Sequence, residues 1–343
     1  MEWDKDTVEY NKTVSIVIPN IDGQSLLAAC LSSIDEPDIT VEVILVDNGS
    51  TDSSKEYAQN TYGNVIIIAN DKNEGFARAC NQGAAKARGK YIVFLNNDVR
   101  LESHTLSTMV SMMQLYPTAG ACQPTIVKQD GTFENGGSYL TATGFLYHLT
   151  ESEVLSKANV SRRFALNGAC LLVRHEAFVE AGGFDETFFA YFEETDLCWR
   201  MLRLGWNLLH IRSVKATHAV GATTQRIFSS DYVDFLSFRN RITTIRRNAE
   251  PNVRWRMLLL HVPICISLAL LFVISGKPRN AKSIIRAILW HLSQPRLSKN
   301  LNGSQTLEKK ELLNIRSLVV PAVRMGSVKC LLGYLKRWPD PGN

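Results

Sequence analysis

The sequence predicts an α/β fold, a mainly parallel central sheet with helices on both faces. Three observations carry the prediction. Short apolar, β-branched runs alternate with stretches of helical spacing from residue 14 to residue 95. The strands are apolar throughout rather than alternating, as strands covered on both faces are. The first two runs end in clear stop signals, Pro19 and the polar turn "DNGSTD".

Taken in order, "VSIVIP" (14–19) is a buried strand and "SLLAACLSSI" (25–34) a helix with Ser at its start. "VEVILV" (41–46) is the second strand and "NVIIIA" (64–69) the third. "GFARACNQGAAKA" (75–87) is Ala-rich and helical, and "KYIVFL" (90–95) is the fourth strand. After residue 100 the alternation stops. "TLSTMVSMMQLY" (105–116) reads as a helix, and the Gly- and Thr-rich stretch 130–144 as hairpins and loop. Residues 162–211 hold a strand, a short helix, a loop, a second helix and a returning strand, with no internal repeat.

With 343 residues and 45% apolar composition the chain has room for one large domain or a domain plus an appendage, and wholesale disorder is excluded. The formal net charge of +5 says little until it is located. The start "MEWDKDTVEY" has neither a basic nor an apolar leader pattern, so no cleaved signal peptide is expected. Seven scattered cysteines form no CxxC pair, which argues against a disulfide framework or a structural zinc and for reduced thiols in a cytosolic setting.

In an open α/β sheet the ligand sits beyond the carboxyl ends of the strands. Asp47, Asn48 and the run "LNNDV" (95–99) all fall there. These motifs, with "SIVIP", "ILVDNGSTD", "NEGFARACNQG", "NGACLLVRHEAF", "GGFDETFFAYFEETDLCWR" and "GW", occur in order across residues 14–211. Together they resemble family 2 glycosyltransferases, in the rhamnosyltransferase-like branch. The resemblance covers about the first two-thirds of the chain. It implies the GT-A (nucleotide-diphospho-sugar transferase) fold and transfer of a sugar from a nucleotide-diphosphate donor, with inversion and with Mg²⁺ or Mn²⁺. The expected catalytic domain is 1–225, followed by a membrane-associated helical region at 226–307 and a tail at 308–343.

The resemblance assigns roles residue by residue. A divalent cation on the diphosphate stabilises the charge that grows on the leaving group, and hard cations take oxygen ligands. Asn96-Asn97-Asp98 is similar to the family's DxD site with Asn96 in the first acid position, so Asp98 is the expected metal ligand. His218 resembles a late histidine that some members use as a further ligand; a lone histidine is as often structural. Asp47 matches an acid that accepts the N3–H of a uracil-type base, against a plain turn role in "DNGSTD", where Asp52 is the expected helix cap. Pro19, Asn20, Asn48, Arg78, Asn96 and Asn97 complete the expected donor side. Ile21 stands where the family often has a base-stacking aromatic, which weakens any statement about the base.

In "FEETD" (192–196), Glu193 and Glu194 match the family's Glu-Asp pair, whose second member is the general base. Glu194 is one methylene longer than the usual Asp. Asp196 reads as a dipole-favoured acid at a helix start. Gly183, Phe184 and Asp185 belong to a turn that looks like the acceptor-side loop or a core-lining turn, and Glu193 joins them on the acceptor side.

The C-terminal third is basic and apolar. No carboxylate occurs between Glu250 and Glu308, where eight Lys or Arg residues lie. The run "MLLLHVPICISLALLFVIS" (257–275) is long enough to cross a bilayer, and "AKSIIRAILWHL" (281–292) reads as a basic amphipathic helix. Basic flanks on both sides of the run go against a single span. They favour an in-plane or re-entrant segment on the cytoplasmic face of the cell membrane, with a buried core helix as the rival. The expected partners are therefore a nucleotide-diphosphate sugar, a glycan or polyprenyl-linked acceptor and the inner leaflet. No nucleic-acid-binding motif accompanies the basic face. Two rival functions remain, a nucleotidyltransferase and a degenerate nucleotide-sugar-binding protein. The first lacks its basic Gly-rich loop, since "NIDGQS" has one glycine and no Lys or Arg. The second draws on Ile21, Asn96 and Glu194.

Overall fold

A computed structural model describes residues 11–219 and 228–294. The described residues divide into two compact units, residues 11–138 with 148–219, and residues 139–147 with 228–294.

The first unit is built on one large sheet. It opens with β1 (Lys12–Asn20), α1 (Gln24–Ser32), β2 (Val41–Asp47), α2 (Ser54–Thr61), β3 (Ile66–Ala69), α3 (Phe76–Ala84) and β4 (Gly89–Leu95). β3 starts at Ile66 rather than Asn64, because the Val65 N–H is bonded back to the Tyr62 carbonyl at 2.9 Å as α2 ends. Strands β3-β2-β1-β4 are parallel neighbours. Next come β5 (Val99–Leu101), α4 (Thr105–Leu115), β6 (Ala119–Lys128) and β7 (Phe133–Asn135); the paired β8 (Ser138–Leu140) and β9 (Leu146–His148) that follow fall mostly in the second unit. The first unit closes with α5 (Glu151–Leu155), β10 (Val160–Arg162), β11 (Cys170–Arg174), α6 (His175–Glu180), a 3₁₀ turn (Glu186–Phe188), α7 (Glu193–Arg203) and β12 (Asn207–His218).

Beyond β4 the sheet becomes mixed. β11 runs antiparallel to both β4 and β6, β6 is parallel to β12, and β5 and β10 pair antiparallel with β12. Both faces are covered, as fully apolar strands require. Val14, Ile16 and Ile18 share one core with Leu27 and Leu31 of α1 and Leu106, Met109 and Met113 of α4. Val17 faces the other way, against α3. There a Cβ on Gly83 would lie 2.3 Å from Val17 Cγ1, so only glycine lets the helix seat on the strand. Six of the cysteines are free and buried inside this packing and the second unit.

The second unit contains residues 139–147 and α8 (Ser230–Asn248), α9 (Pro251–Ile274) and α10 (Pro278–Leu292). Arg241 of α8 is buried with its guanidinium 4.5 Å from the ring centre of Phe145 and 5.1 Å from that of Phe238. Asn280 of α10 donates to Asp234 of α8 at 2.7 Å. His261, midway along α9, is stacked on Phe145 and hydrogen-bonded to the Thr143 carbonyl at 2.8 Å. One face of α9, with Met257, His261, Cys265, Leu268 and Ala269, is thus buried, while Trp255, Leu259, Ile266, Leu270 and Ile274 are exposed. α9 is the one helix among the described residues long and apolar enough to cross a membrane, and 28% of its most apolar stretch is buried. Arg296, Lys299 and the tail at 308–343 lie outside the described residues.

The seat of α3 can be tested. Gly83→Ala forces a methyl group into Val17 and should destabilise the fold by about 1–3 kcal/mol, as overpacking does, read as a lower urea midpoint. Gly63→Ala, where a Cβ meets nothing within 4 Å, is the control and should leave the midpoint unchanged or slightly raised.

Candidate active site

Strands β1, β2 and β4 run parallel and end at the same edge, so Asn20, Asp47 and Asn96 leave the sheet side by side. Asn20 sits between its neighbours. Its Nδ2 donates to Asp47 at 3.4 Å and to Ser50 at 3.2 Å, and its Oδ1 accepts from Asn97 at 2.7 Å. The amide pair closes over Gly23, where a Cβ would come within 2.3 Å of both side chains.

Asp47 is fully buried. Its carboxylate accepts from the Ser50 N–H at 3.1 Å and from the Ser50 hydroxyl, with Lys55 Nζ at 3.9 Å. It therefore ties the "DNGS" turn to β1. Asp52 does not occupy the cap position itself, which is Ser53. It accepts from Ser54 at the head of α2 and from Gln24 at the head of α1, bridging two helix starts. Asn48 is held in an amide network with Asn70, Asn73 and the Gly75 carbonyl. Pro19 pairs with Val46 inside the sheet. Arg78 is half-exposed and paired with Glu74 at 3.3 Å.

Asp98 follows the β4 end and leads into β5. Its Oδ1 lies 3.4 Å from His218 Nε2. The other ring nitrogen, Nδ1, lies 3.0 Å from Glu134. Burial opposes a charge on His218, but the hydrogen bonds to Asp98 and Glu134 outweigh it and push the imidazole up to about 9. Sequence reasoning found Asp98 and His218 and missed Glu134, which stands in the irregular stretch "TFENGG" with no periodicity to mark it. Asn96 Oδ1 is buried with no hydrogen-bond partner. No group of three His, Cys, Asp or Glu side chains that could hold a metal occurs among the described residues. A carboxylate, an imidazole and an orphaned amide oxygen nevertheless suit a cation that takes most of its shell from a diphosphate and water.

On the other side of β4, the Asn96 N–H bonds to the Ala169 carbonyl at 3.0 Å. Ala169 adjoins Gly168, and a Cβ at Gly168 would lie 3.5 Å from Glu194 Cβ. The Asp98–His218 pair and the "FEETD" acids thus both lie near the end of β4. The three acids are in different states. Asp196 is buried in an ion pair with Arg200 at 2.7 Å, and Arg200 also donates to the Ala181 carbonyl. Glu193 is buried, with Oε2 lacking a partner; burial and then the charge of Glu194 push its carboxyl well above the usual range. Glu194 is half-buried and accepts from Thr195 at 3.1 Å, and burial raises its carboxyl too.

The loop before these acids is conformationally costly. Phe189, Tyr191 and Phe192 all have φ between 65° and 71°, the left-handed region that side chains avoid. The Phe189 carbonyl is fixed by the Phe76 N–H at 2.6 Å, at the head of α3, and Gly75 leaves room for it. Phe184 is buried against Phe94 and Phe178, its backbone held on both sides by the Asn81 amide at 2.9 Å. Asp185 caps the 3₁₀ turn, and Gly183, with φ 69°, makes the bend before it. This segment packs as core and delivers α7.

Comparison with known proteins agrees with the fold. Residues 15–179 match the family described as Glycosyl transferase family 2. The chain is 29% identical over 211 residues to N-acetylglucosaminyl-diphospho-decaprenol L-rhamnosyltransferase of Mycobacterium tuberculosis, spanning 54% of this chain and 69% of that one. It is 24% identical over 237 residues to the low-salt glycan biosynthesis hexosyltransferase Agl10 of Haloferax volcanii, spanning 66% and 74%. Among solved structures it resembles S. aureus TarS with UDP-GlcNAc at a TM-score of 0.55 and 15% identity, over 80% of this chain and 81% of that one. It also resembles the mannosyltransferase PcManGT from Pyrobaculum calidifontis with GDP-Man and Mn²⁺ at 0.55 and 16%, over 95% and 84%. Residues 15–179 form a glycosyl transferase family 2 segment, and the chain is a glycosyltransferase with the GT-A fold.

Proposed function

We propose that the chain transfers a sugar, with rhamnose the favoured candidate, from a nucleoside-diphosphate donor to a polyprenyl-linked glycan, with inversion. The carrying observation is the convergence of the Asp98–His218 pair and the half-buried Glu194 on one strand end. The named relative from M. tuberculosis, a rhamnosyltransferase for a diphospho-decaprenol, supports the choice of sugar and acceptor class.

In this reading Asp98 and His218 hold a divalent cation, with Asn96 beside them. The cation stabilises the negative charge that develops on the leaving diphosphate. Pro19, Asn20, Asp47, Asn48, Asn97 and Arg78 line the donor side, where the amide and Asp47 networks fix the backbone that meets the nucleotide. Glu194 takes the proton of the acceptor hydroxyl. A carboxyl raised by burial is a stronger base than an exposed one, once ionised. Burial and the neighbouring Glu194 charge raise the Glu193 carboxyl, which disfavours a second negative charge beside the base. Asp196 is held by Arg200 and braces α7. Gly183, Phe184 and Asp185 set the rigid turn on the acceptor side.

The second unit supports a place on the inner leaflet. The buried face of α9 is committed to His261 and its partners, so lipid can reach the opposite face only. Trp255, Leu259, Ile266 and Leu270 are spaced to lie along that side, and Arg254, Arg256, Lys277, Arg279, Lys282 and Arg286 flank the apolar run in sequence. An in-plane helix binds by apolar insertion plus attraction to anionic headgroups.

Three outcomes follow. Glu194→Gln should lower turnover about 10²–10⁴-fold with donor affinity kept. The parental rate should fall as pH drops through the raised Glu194 value, above the ordinary value of about 4.3. A near-parental Glu194→Gln rate, with Asp196→Asn inactive, would reassign the base. Asp98→Ala should abolish transfer, and EDTA should do so in the parent; turnover indifferent to both removes Asp98 from the site. Full-length protein should sediment with anionic vesicles, less so at high salt, and Leu259→Asp with Leu270→Asp should release it. Equal binding by the double variant means α9 does not carry the contact.

A further inference from the structure

We infer that Glu134 is a positioning residue that holds the His218 ring with Nε2 turned toward Asp98, where a cation that displaces the Nε2 proton would bind. The inference rests on the reading of Asp98 and His218 as a cation site. Two independent features of the backbone lead to it.

The first is the ladder that brings His218 in. β12 pairs antiparallel with β5, with His218 opposite Val99, and the Ala219 N–H bonds to the Asp98 carbonyl at 3.0 Å. This fixes where His218 stands, but not how its ring is turned. A histidine that binds a metal through one nitrogen must carry its proton on the other, and a partner for that N–H sets both the tautomer and the ring angle.

The second feature supplies the partner. β7 pairs with β6, Phe133 opposite Val127 and Asn135 opposite Ile126. Two steps along β7 match one step along β6, so Glu134 is the extra residue of a β-bulge. Bulges re-aim a side chain out of the regular ladder. Here both Glu134 oxygens lie within hydrogen-bond distance of His218 Nδ1, at 3.0 and 3.1 Å. The two side chains are mostly enclosed, 18% and 12% exposed, so water competes little for the bond. The arrangement is a carboxylate, an imidazole and then the face that Asp98 shares. With an acid at each ring nitrogen the angle of the His218 ring is fixed, as a nitrogen donor to a cation requires.

The test is Mn²⁺ binding, read from the free-ion EPR signal with UDP at a fixed concentration, on the full-length protein. Loss of an orienting partner weakens metal affinity about 10–100-fold, so Glu134→Ala should do so. Glu134→Gln keeps the size and an acceptor oxygen but loses the charge, so it should fold and show a smaller loss of the same sign. His218→Ala should weaken binding at least as much as Glu134→Ala. The decisive arm is the pair of changes together. If Glu134 acts through His218, adding Glu134→Ala to His218→Ala should cost no further affinity. Parental affinity in both Glu134 variants overturns the inference, as does a full extra loss in the His218→Ala background. Parental affinity in His218→Ala itself overturns the cation site and the inference with it, which separates the two failures.

Discussion

The ladder between β5 and β12 is three residue pairs long, and it carries the edge proposed as the active site. β5 begins directly after Asp98, so the chain that leaves β4 is turned back and stitched to β12 within a few residues. That register, together with the pairing of His218 opposite Lys128 of β6, brings His218 to Asp98. A slip of one residue would send His218 to the opposite face of the sheet, since side chains alternate along a strand. The same strand end is tied on its other side by the Asn96–Ala169 bond, which brings Gly168 and Glu194 alongside. One junction between the parallel and the mixed halves of the sheet therefore positions both sets of functional groups.

The carboxylates around this junction are divided by environment. Asp47 is used up by a turn hydroxyl, a backbone N–H and an amide. Asp196 has a guanidinium of its own. Glu193 is buried without one, and burial together with the next acid raises its carboxyl well above the usual range. Only Glu194 combines partial access with a raised proton affinity. The departure from the usual Asp is thus read against a pocket in which its neighbours are already committed. The left-handed aromatic residues before α7 are the cost of bringing this helix start so close to the head of α3.

Much of this was legible in the sequence. Strands β1 to β4 are dense apolar runs, and a run that is apolar on both faces leaves few alternatives to a covered sheet. Asp47 and "LNNDV" could be placed at strand ends for the same reason. Glu134 could not, because a bulge in a three-residue strand leaves no periodic trace. The strain at Phe189, Tyr191 and Phe192 was equally hidden, since nothing in an aromatic residue announces a positive φ. The grouping of residues 139–147 with helices more than eighty residues later is a tertiary fact: it depends on Phe145 meeting Arg241 and His261. The apolar run of α9 was plain, but only its packing separates a buried face from a bare one.

In the proposed function one edge of the sheet binds a cation and a nucleotide sugar together. The most direct measurement is the melting temperature of the full-length protein across a panel of nucleotide sugars, with and without Mn²⁺. A ligand at about 100 times its dissociation constant adds roughly 2.7 kcal/mol to stability by mass action. The account predicts a clear rise for at least one nucleotide sugar with Mn²⁺, a small one for either alone, and loss of the joint effect in Asp98→Ala. A rise that is the same without the metal and in Asp98→Ala would contradict it.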